Sequence, residues 1–171
     1  ASMTKPMTAV VALQLYEQGR LLMDDPLSRH FPKFADQKVA VLDDSKDAIV
    51  GKVPATRPIL MQDLFRHTSG LAYGNTGTTA VNKLYPLSSN SSARSLTGAE
   101  LLDTLAGLPL HHQPGAQWQY GFGLDVLGLA VERLEGKSLG QAMNTSLWGP
   151  LGMTDTGFVV SADRVPRYAR A

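Results

Sequence analysis

Two residues near the start of the chain have the types and spacing for nucleophilic catalysis. Ser2 and Lys5 stand three positions apart in Ala1-Ser2-Met3-Thr4-Lys5. If this stretch opens a helix, side chains at i and i+3 share one face, within reach of each other. A serine hydroxyl is a weak nucleophile until a neighbouring base takes its proton. A desolvated lysine is one such base, because burial disfavours an ammonium ion. The partial positive charge at a helix N-terminus also favours the alkoxide and oxyanion that develop in acyl transfer. With twelve serines and seven lysines in the chain, about half an S-x-x-K pair arises by chance, so the spacing needs context. A serine capping the helix beside an unrelated surface lysine accounts for the same spacing.

Other candidates carry less. Gly136-Lys137-Ser138-Leu139-Gly140 matches the G-x-S-x-G elbow, which needs a strand before the serine and a histidine downstream. A helical pattern precedes Ser138, and all four histidines, at 30, 67, 111 and 112, lie upstream. Ser138 with Gln141 reads instead as a capping box. His111 and His112 are adjacent, without metal-ligand spacing and without cysteine partners, so a metal site is not expected there.

The elements that must position these residues are mostly helical. Near-3.6 spacing of Met3, Met7, Val10, Val11 and Leu15 predicts a helix over 2–18, stopped at Gly19. Asp25-Pro26 reads as an N-cap followed by Pro at the first position of a short helix. Segments 39–42 and 48–53 form a possible hairpin across the polar run 43–47, itself read as a solvated turn. A short helix is expected at 59–66, ended by His67-Thr68-Ser69-Gly70. Residues 72–96, rich in Gly, Asn, Ser and Thr, read as a long, mobile surface loop. Thr97 and Glu100 make a capping box for a helix to about 106. An apolar stripe of Val126, Leu127, Ala130, Val131 and Leu134 predicts a helix over 123–135. Another follows over 138–148, broken at Gly149-Pro150.

Composition narrows the classes. The chain has 171 residues, 43% hydrophobic and 18% charged, with net charge +1, and is long enough to bury a real core. Its sixteen Lys and Arg are scattered, with no basic stripe for nucleic acid. The absence of cysteine excludes disulfides and thiolate zinc sites. No apolar run is long enough to span a membrane. No targeting segment is read in the chain, and the compartment stays open between bacterial cytoplasm and periplasm.

The context of Ser2 and Lys5 resembles a known family. Residues 1–9 and 15–26 are similar to the nucleophile helix of the β-lactamase-related esterases, the family VIII carboxylesterases, which are relatives of class C β-lactamases and DD-peptidases of the penicillin-binding protein superfamily. The likeness continues with Asp63-Leu64-Phe65-Arg66-His67-Thr68-Ser69-Gly70-Leu71, then Pro114-Gly115, Trp118, Tyr120 and Asp125-Val126-Leu127-Gly128. It ends with Pro150-Leu151-Gly152-Met153-Thr154-Asp155-Thr156-Gly157-Phe158.

The resemblance implies a β-lactamase/DD-peptidase-like α/β sandwich with a helical domain. The chain over 1–171 is then a predominantly helical portion of it, with the nucleophile helix at 2–18 and a helical region from about 59 onward. It also implies roles: Ser2 as nucleophile, Lys5 as the base that takes its proton, and Tyr120 as a relay between lysine, nucleophile and leaving group. His67 and Ser69 are read as structural, holding their turn. Trp118 and Phe122 flank Tyr120 and are candidates for an acyl pocket, or for ordinary packing. The implied activity is hydrolysis of short-chain carboxylic esters through an acyl-enzyme, with no metal or organic cofactor.

Two features depart from the family pattern. In relatives the second motif reads Tyr-x-Asn, whereas Tyr120 is followed by Gly121-Phe122. The missing Asn argues against β-lactam turnover and fits the esterase branch. A third motif, on a strand that supplies an oxyanion N–H, is not found before Ala171. The expectation is therefore a middle portion of a longer enzyme, whose activity in isolation depends on that missing strand. A β-lactamase or DD-peptidase of the same superfamily, and a non-catalytic fragment or binding module, remain the rival readings. Oligomeric state is not legible.

Overall fold

Two helices with complementary apolar faces form the centre of the molecule. The computed structural model describes residues 2–168; Ala1 and residues 169–171, the ends of the expected domain, lie outside the described residues. Helix α1 (Thr4–Glu17) buries Thr8, Val11, Ala12 and Leu15, one stripe at helical spacing. It packs on α7 (Gly123–Glu135), which buries Val126, Leu127, Ala130 and Val131 on the facing side. The stripe read from the sequence placed both ends of α7. Gly136 stops it in the left-handed conformation at φ 67°, where a residue without Cβ fits best. The guanidinium of Arg20, just past α1, donates to the Leu134 carbonyl and the Glu135 carboxylate, tying the two helix ends together.

Shorter elements surround this pair. These are α2 (Leu27–His30), the strands β1 (Lys38–Leu42) and β2 (Ile49–Pro54), α3 (Met61–Phe65), α4 (Ala80–Leu84), α5 (Ser89–Ser92), α6 (Gly98–Gly107) and α8 (Leu139–Met143). β1 and β2 form the expected antiparallel hairpin, with Val39 opposite Val53 and an irregularity between Val41 and Leu42. The Asp43 carboxylate accepts the Ala48 N–H and the Ser45 hydroxyl, so the polar run is an organised turn. The capping boxes of Thr97 with Glu100 and Ser138 with Gln141 both form. Ser138 is thereby a helix cap, as its local pattern indicates. Among the described residues, no helix is long and apolar enough to cross a membrane.

Three segments differ from the sequence reading. Pro26 is the N-cap of α2 rather than its first helical residue. Its extended backbone bridges Leu60, while the Asp25 carboxylate turns to Leu22 and Arg29. The same bridge delays α3, expected from 59, until Met61. Residues 72–96 are not a featureless loop: they contain α4 and α5, and bury Tyr73, Val81, Asn82, Tyr85 and Ser92. The anchors Tyr73, Val81 and Tyr85, packed in the core, outweigh the turn-rich composition. Finally, α8 ends at Met143 and passes into a π turn over Asn144–Trp148. That wider turn buries Trp148, whose indole N–H donates to Met7 Sδ at 3.2 Å.

Candidate active site

Ser2 sits two residues before α1, ahead of the N-cap Met3, in a turn where its carbonyl accepts the Lys5 N–H at 3.1 Å. Its hydroxyl does not cap the helix. Ser2 Oγ instead lies 2.7 Å from the Tyr120 hydroxyl, across 118 positions of sequence. The Lys5 ammonium lies over the Tyr120 ring, 5.0 Å from its centre, and over the Tyr73 ring at 5.7 Å. Serine and lysine, both near the helix start, thus meet at one tyrosine, delivered by the segment before α7. Side-chain contact to Ser2 comes from the phenol oxygen.

Tyr120 is held by close backbone packing. A Cβ on Gly121 would lie 2.1 Å from the Leu71 carbonyl oxygen, and one on Gly123 would lie 2.7 Å from that of Leu64. Only glycine allows the chain to pass so near on both sides of Phe122. On the other side, the Gln119 N–H donates to the His67 carbonyl at 2.7 Å. His67 adopts φ 56°, a left-handed conformation that costs a residue with a Cβ about 1 kcal/mol or more. Its ring lies 4.8 Å from that of Tyr120 and 6.0 Å from that of Trp118.

The turn 67–70 is fixed by one carboxylate. Asp63 is wholly buried and takes two hydrogen bonds from Arg57, at 2.6 and 2.9 Å, one from the Leu60 N–H at 2.9 Å and one from the Thr68 hydroxyl at 2.8 Å. Burial pushes its pKa up, but the Arg57, Leu60 and Thr68 hydrogen bonds outweigh this and hold the carboxyl below its ordinary range.

Electrostatics favours a reactive phenol. Desolvation alone raises the Tyr120 pKa, yet the contacts with Ser2 and Lys5 and the ammonium charge overcome it, and the net shift is downward. His67 is shifted down by burial and by the Lys5 charge, so it is a neutral imidazole near neutral pH.

The residues surround a cavity of about 780 Å³, lined by Ser2, Lys5, Tyr73, Tyr120 and Asp125, with Leu101, Leu124 and Leu129 giving it an apolar wall. Phe122 is wholly buried and packs edge-on against Tyr73 at 4.5 Å. Of its two readings, packing is the one this position permits. Trp118 is 67% exposed and 6.2 Å from Tyr120 between ring centres, and it does not line the cavity. His111 and His112 lie apart from it: His111 shares a hydrogen bond with the Thr79 hydroxyl, and the His112 Nδ1–H donates to the Gln113 carbonyl. Two side chains at the site went unassigned from sequence, Tyr73 and Asp125. Tyr73 follows the His67–Gly70 turn by three residues, and Asp125 stands in the first turn of α7. For Tyr73 that position is the sequence signal; Asp125 also falls in the Asp125–Gly128 stretch of the family likeness.

Comparison with known proteins agrees with this architecture. The β-lactamase family model matches residues 1–171. An uncharacterised protein of Mycobacterium tuberculosis is 43% identical over 169 residues, covering 99% of this chain and 41% of that one. Esterase EstB of Burkholderia gladioli is 37% identical over 160 residues, covering 93% of this chain and 38% of the esterase. The solved structure of EstCE1, described as a hydrolase with promiscuous acyltransferase activity, superposes with a TM-score of 0.75 at 30% identity, covering 95% of this chain and 40% of that one. The chain therefore spans about two fifths of the length of the relatives it matches. The helices and the one hairpin among its described residues are a portion of the β-lactamase fold. The chain belongs to the β-lactamase family, within its β-lactamase-related serine hydrolases.

Proposed function

We propose that this chain carries the nucleophile site of a carboxylesterase, with Ser2 as nucleophile and Tyr120 and Lys5 as its proton-handling pair. The observation that carries the reading is the 2.7 Å contact between Ser2 Oγ and the Tyr120 hydroxyl beneath the Lys5 ammonium. Ser2 attacks the ester carbonyl as its proton passes to the phenol oxygen, whose anionic form the ammonium favours. The proton then goes to the departing alkoxide as the tetrahedral intermediate collapses to an acyl-Ser2 ester. Water, deprotonated by the same pair, attacks that ester, and the released Ser2 oxygen recovers a proton. Sequence reasoning assigns the first proton to Lys5; the geometry favours the phenol as first acceptor, with Lys5 acting through its charge. Trp118, beside Tyr120, is a candidate contact for the substrate.

Short-chain carboxylic esters are the proposed substrates. The names of EstB and of a lovastatin esterase from Penicillium rubens, 34% identical over 160 residues, support an ester over a lactam. So does Phe122: it occupies the place of the lactamases' Asn, is wholly buried, and offers no amide to a lactam. The test is hydrolysis of p-nitrophenyl acetate and butyrate against nitrocefin. The expected result is turnover of both esters with nitrocefin slower by about a hundredfold or more, the loss that follows when a polar substrate group finds no partner. Faster turnover of nitrocefin would assign a β-lactamase instead. No turnover of any of the three, with the fold intact, would favour the reading as a non-catalytic fragment or binding module.

A further inference from the structure

The Lys5 ammonium lies between two tyrosine rings, and only one of them belongs to the proposed proton relay. The second, Tyr73, is buried, with its ring 5.7 Å from Lys5 Nζ and edge-on to Tyr120 at 5.6 Å between centres. Its hydroxyl donates to Asp125 Oδ2 at 2.8 Å. A phenol has one proton to give, so the Ser89 hydroxyl, which also contacts the Tyr73 oxygen, is the donor in that second bond. Asp125 stands in the first turn of α7, five residues after Tyr120, and lines the same cavity as Ser2 and Lys5.

We propose that Tyr73 and Asp125 act as one positioning pair for the site, with the carboxylate locking the Tyr73 ring as the second wall of the Lys5 ammonium and supplying the negative charge that balances it. This rests on the esterase reading of Ser2, Lys5 and Tyr120. The pair does not touch the reacting atoms; it acts through Lys5 and Tyr120. A ring face attracts an ammonium ion at short range, and the Tyr73 ring lies within that range of Lys5 Nζ. The carboxylate sets how readily the cluster holds a proton. The ionisable groups facing Tyr120 are Lys5 from α1, His67 from the turn after α3, Tyr73 from the following segment and Asp125 from α7. Of the charged ones, Lys5 lowers the Tyr120 pKa and Asp125 raises it, and Asp125 acts in the same direction on His67 and Tyr73. Removing the carboxylate charge therefore lowers the Tyr120 pKa, and a step that needs the phenolate begins at lower pH.

Phenolate absorbance, titrated with pH and differenced against a Tyr120→Phe variant, isolates Tyr120 without requiring any reaction at Ser2. In an Asp125→Asn background the Tyr120 titration is expected to move down by about one pH unit, the size of effect a nearby charge produces. An unmoved titration would overturn the proposal. Tyr73→Phe removes one oxygen and keeps the ring, so it tests the pair even if Asp125→Asn fails to fold. On its own it is expected to slow fluorophosphonate labelling of Ser2 about tenfold with unchanged thermal stability, because the freed ring and carboxylate no longer hold Lys5. Where both variants fold, the Tyr73→Phe/Asp125→Asn double variant is expected to label no more slowly than the slower single one, since partners in one interaction are not additive. Additive losses, or a Tyr73→Phe variant that labels like wild type, would contradict the pair. If wild-type Ser2 does not label at all, the esterase reading fails, while the phenolate titration still decides whether Asp125 controls Tyr120.

Discussion

Replacing Ser2 with alanine is expected to lower ester hydrolysis by about a thousandfold or more while leaving the fold intact. The size follows from the loss of covalent catalysis: groups that work as a unit with a nucleophile retain little once it is gone. Tyr120 and Lys5 would remain in place, but without an oxygen to deprotonate there is no acyl-enzyme. Structural damage is expected to be slight, because Ser2 is exposed and, among the described residues, its hydroxyl bonds only Tyr120. Initial rates on p-nitrophenyl butyrate, beside thermal melts of both proteins, check this. Near-wild-type turnover by Ser2→Ala with an unchanged melt would remove Ser2 from the mechanism.

The second large effect is on stability. Asp63→Ala is expected to cost about 3–5 kcal/mol, the usual result of removing one partner of a buried ion pair. The Arg57 guanidinium would lose both of its bonds to the carboxylate, and the Leu60 N–H and Thr68 hydroxyl would lose their acceptor. Against a typical total of about 5–15 kcal/mol, that is a large fraction. The same carboxylate makes stability depend on pH. Its folded pKa is depressed, so its contribution is fully present above the ordinary carboxylate range. That contribution is lost as pH falls through the lowered folded value. Urea unfolding at neutral pH should show the deficit, and a series toward acid should show it shrinking as wild type loses the contribution that Asp63→Ala already lacks. Equal urea midpoints at neutral pH would contradict the account. Because Asp63 holds the turn that carries His67 against Tyr120, the variant should also react more slowly at Ser2 under conditions where it remains folded.

What the sequence made legible were features written in local chemistry. The bounds of α7 follow from an apolar stripe and a glycine stop. The caps at Thr97 and Ser138 follow from pairs three residues apart, and the hairpin follows from two β-rich runs around a polar turn. Residues 72–96 differ from the loop their composition suggests because serine and glycine content reports turn propensity, whereas Val81 and Tyr85 are pinned by a core assembled elsewhere. The start of α3 is set by a related cause: a tertiary bridge between Pro26 and Leu60 keeps Leu60 extended. At the site, Ser2, Lys5 and Tyr120 were suggested by motif spacing and family likeness. Tyr73 and Asp125 lie 52 positions apart and meet only through the fold. Phe122 could not be divided between pocket and packing until its burial was known, since an aromatic beside a tyrosine serves either purpose.

Reaction with a fluorophosphonate probe, followed by locating the label by mass spectrometry, tests the central claim most directly, because the probe phosphonylates an activated serine without requiring full turnover. The account predicts one labelled residue, Ser2, with labelling lost in Ser2→Ala and slowed in Tyr120→Phe. A folded protein labelled at Ser138 or at another of its serines, or not labelled at all, would contradict it.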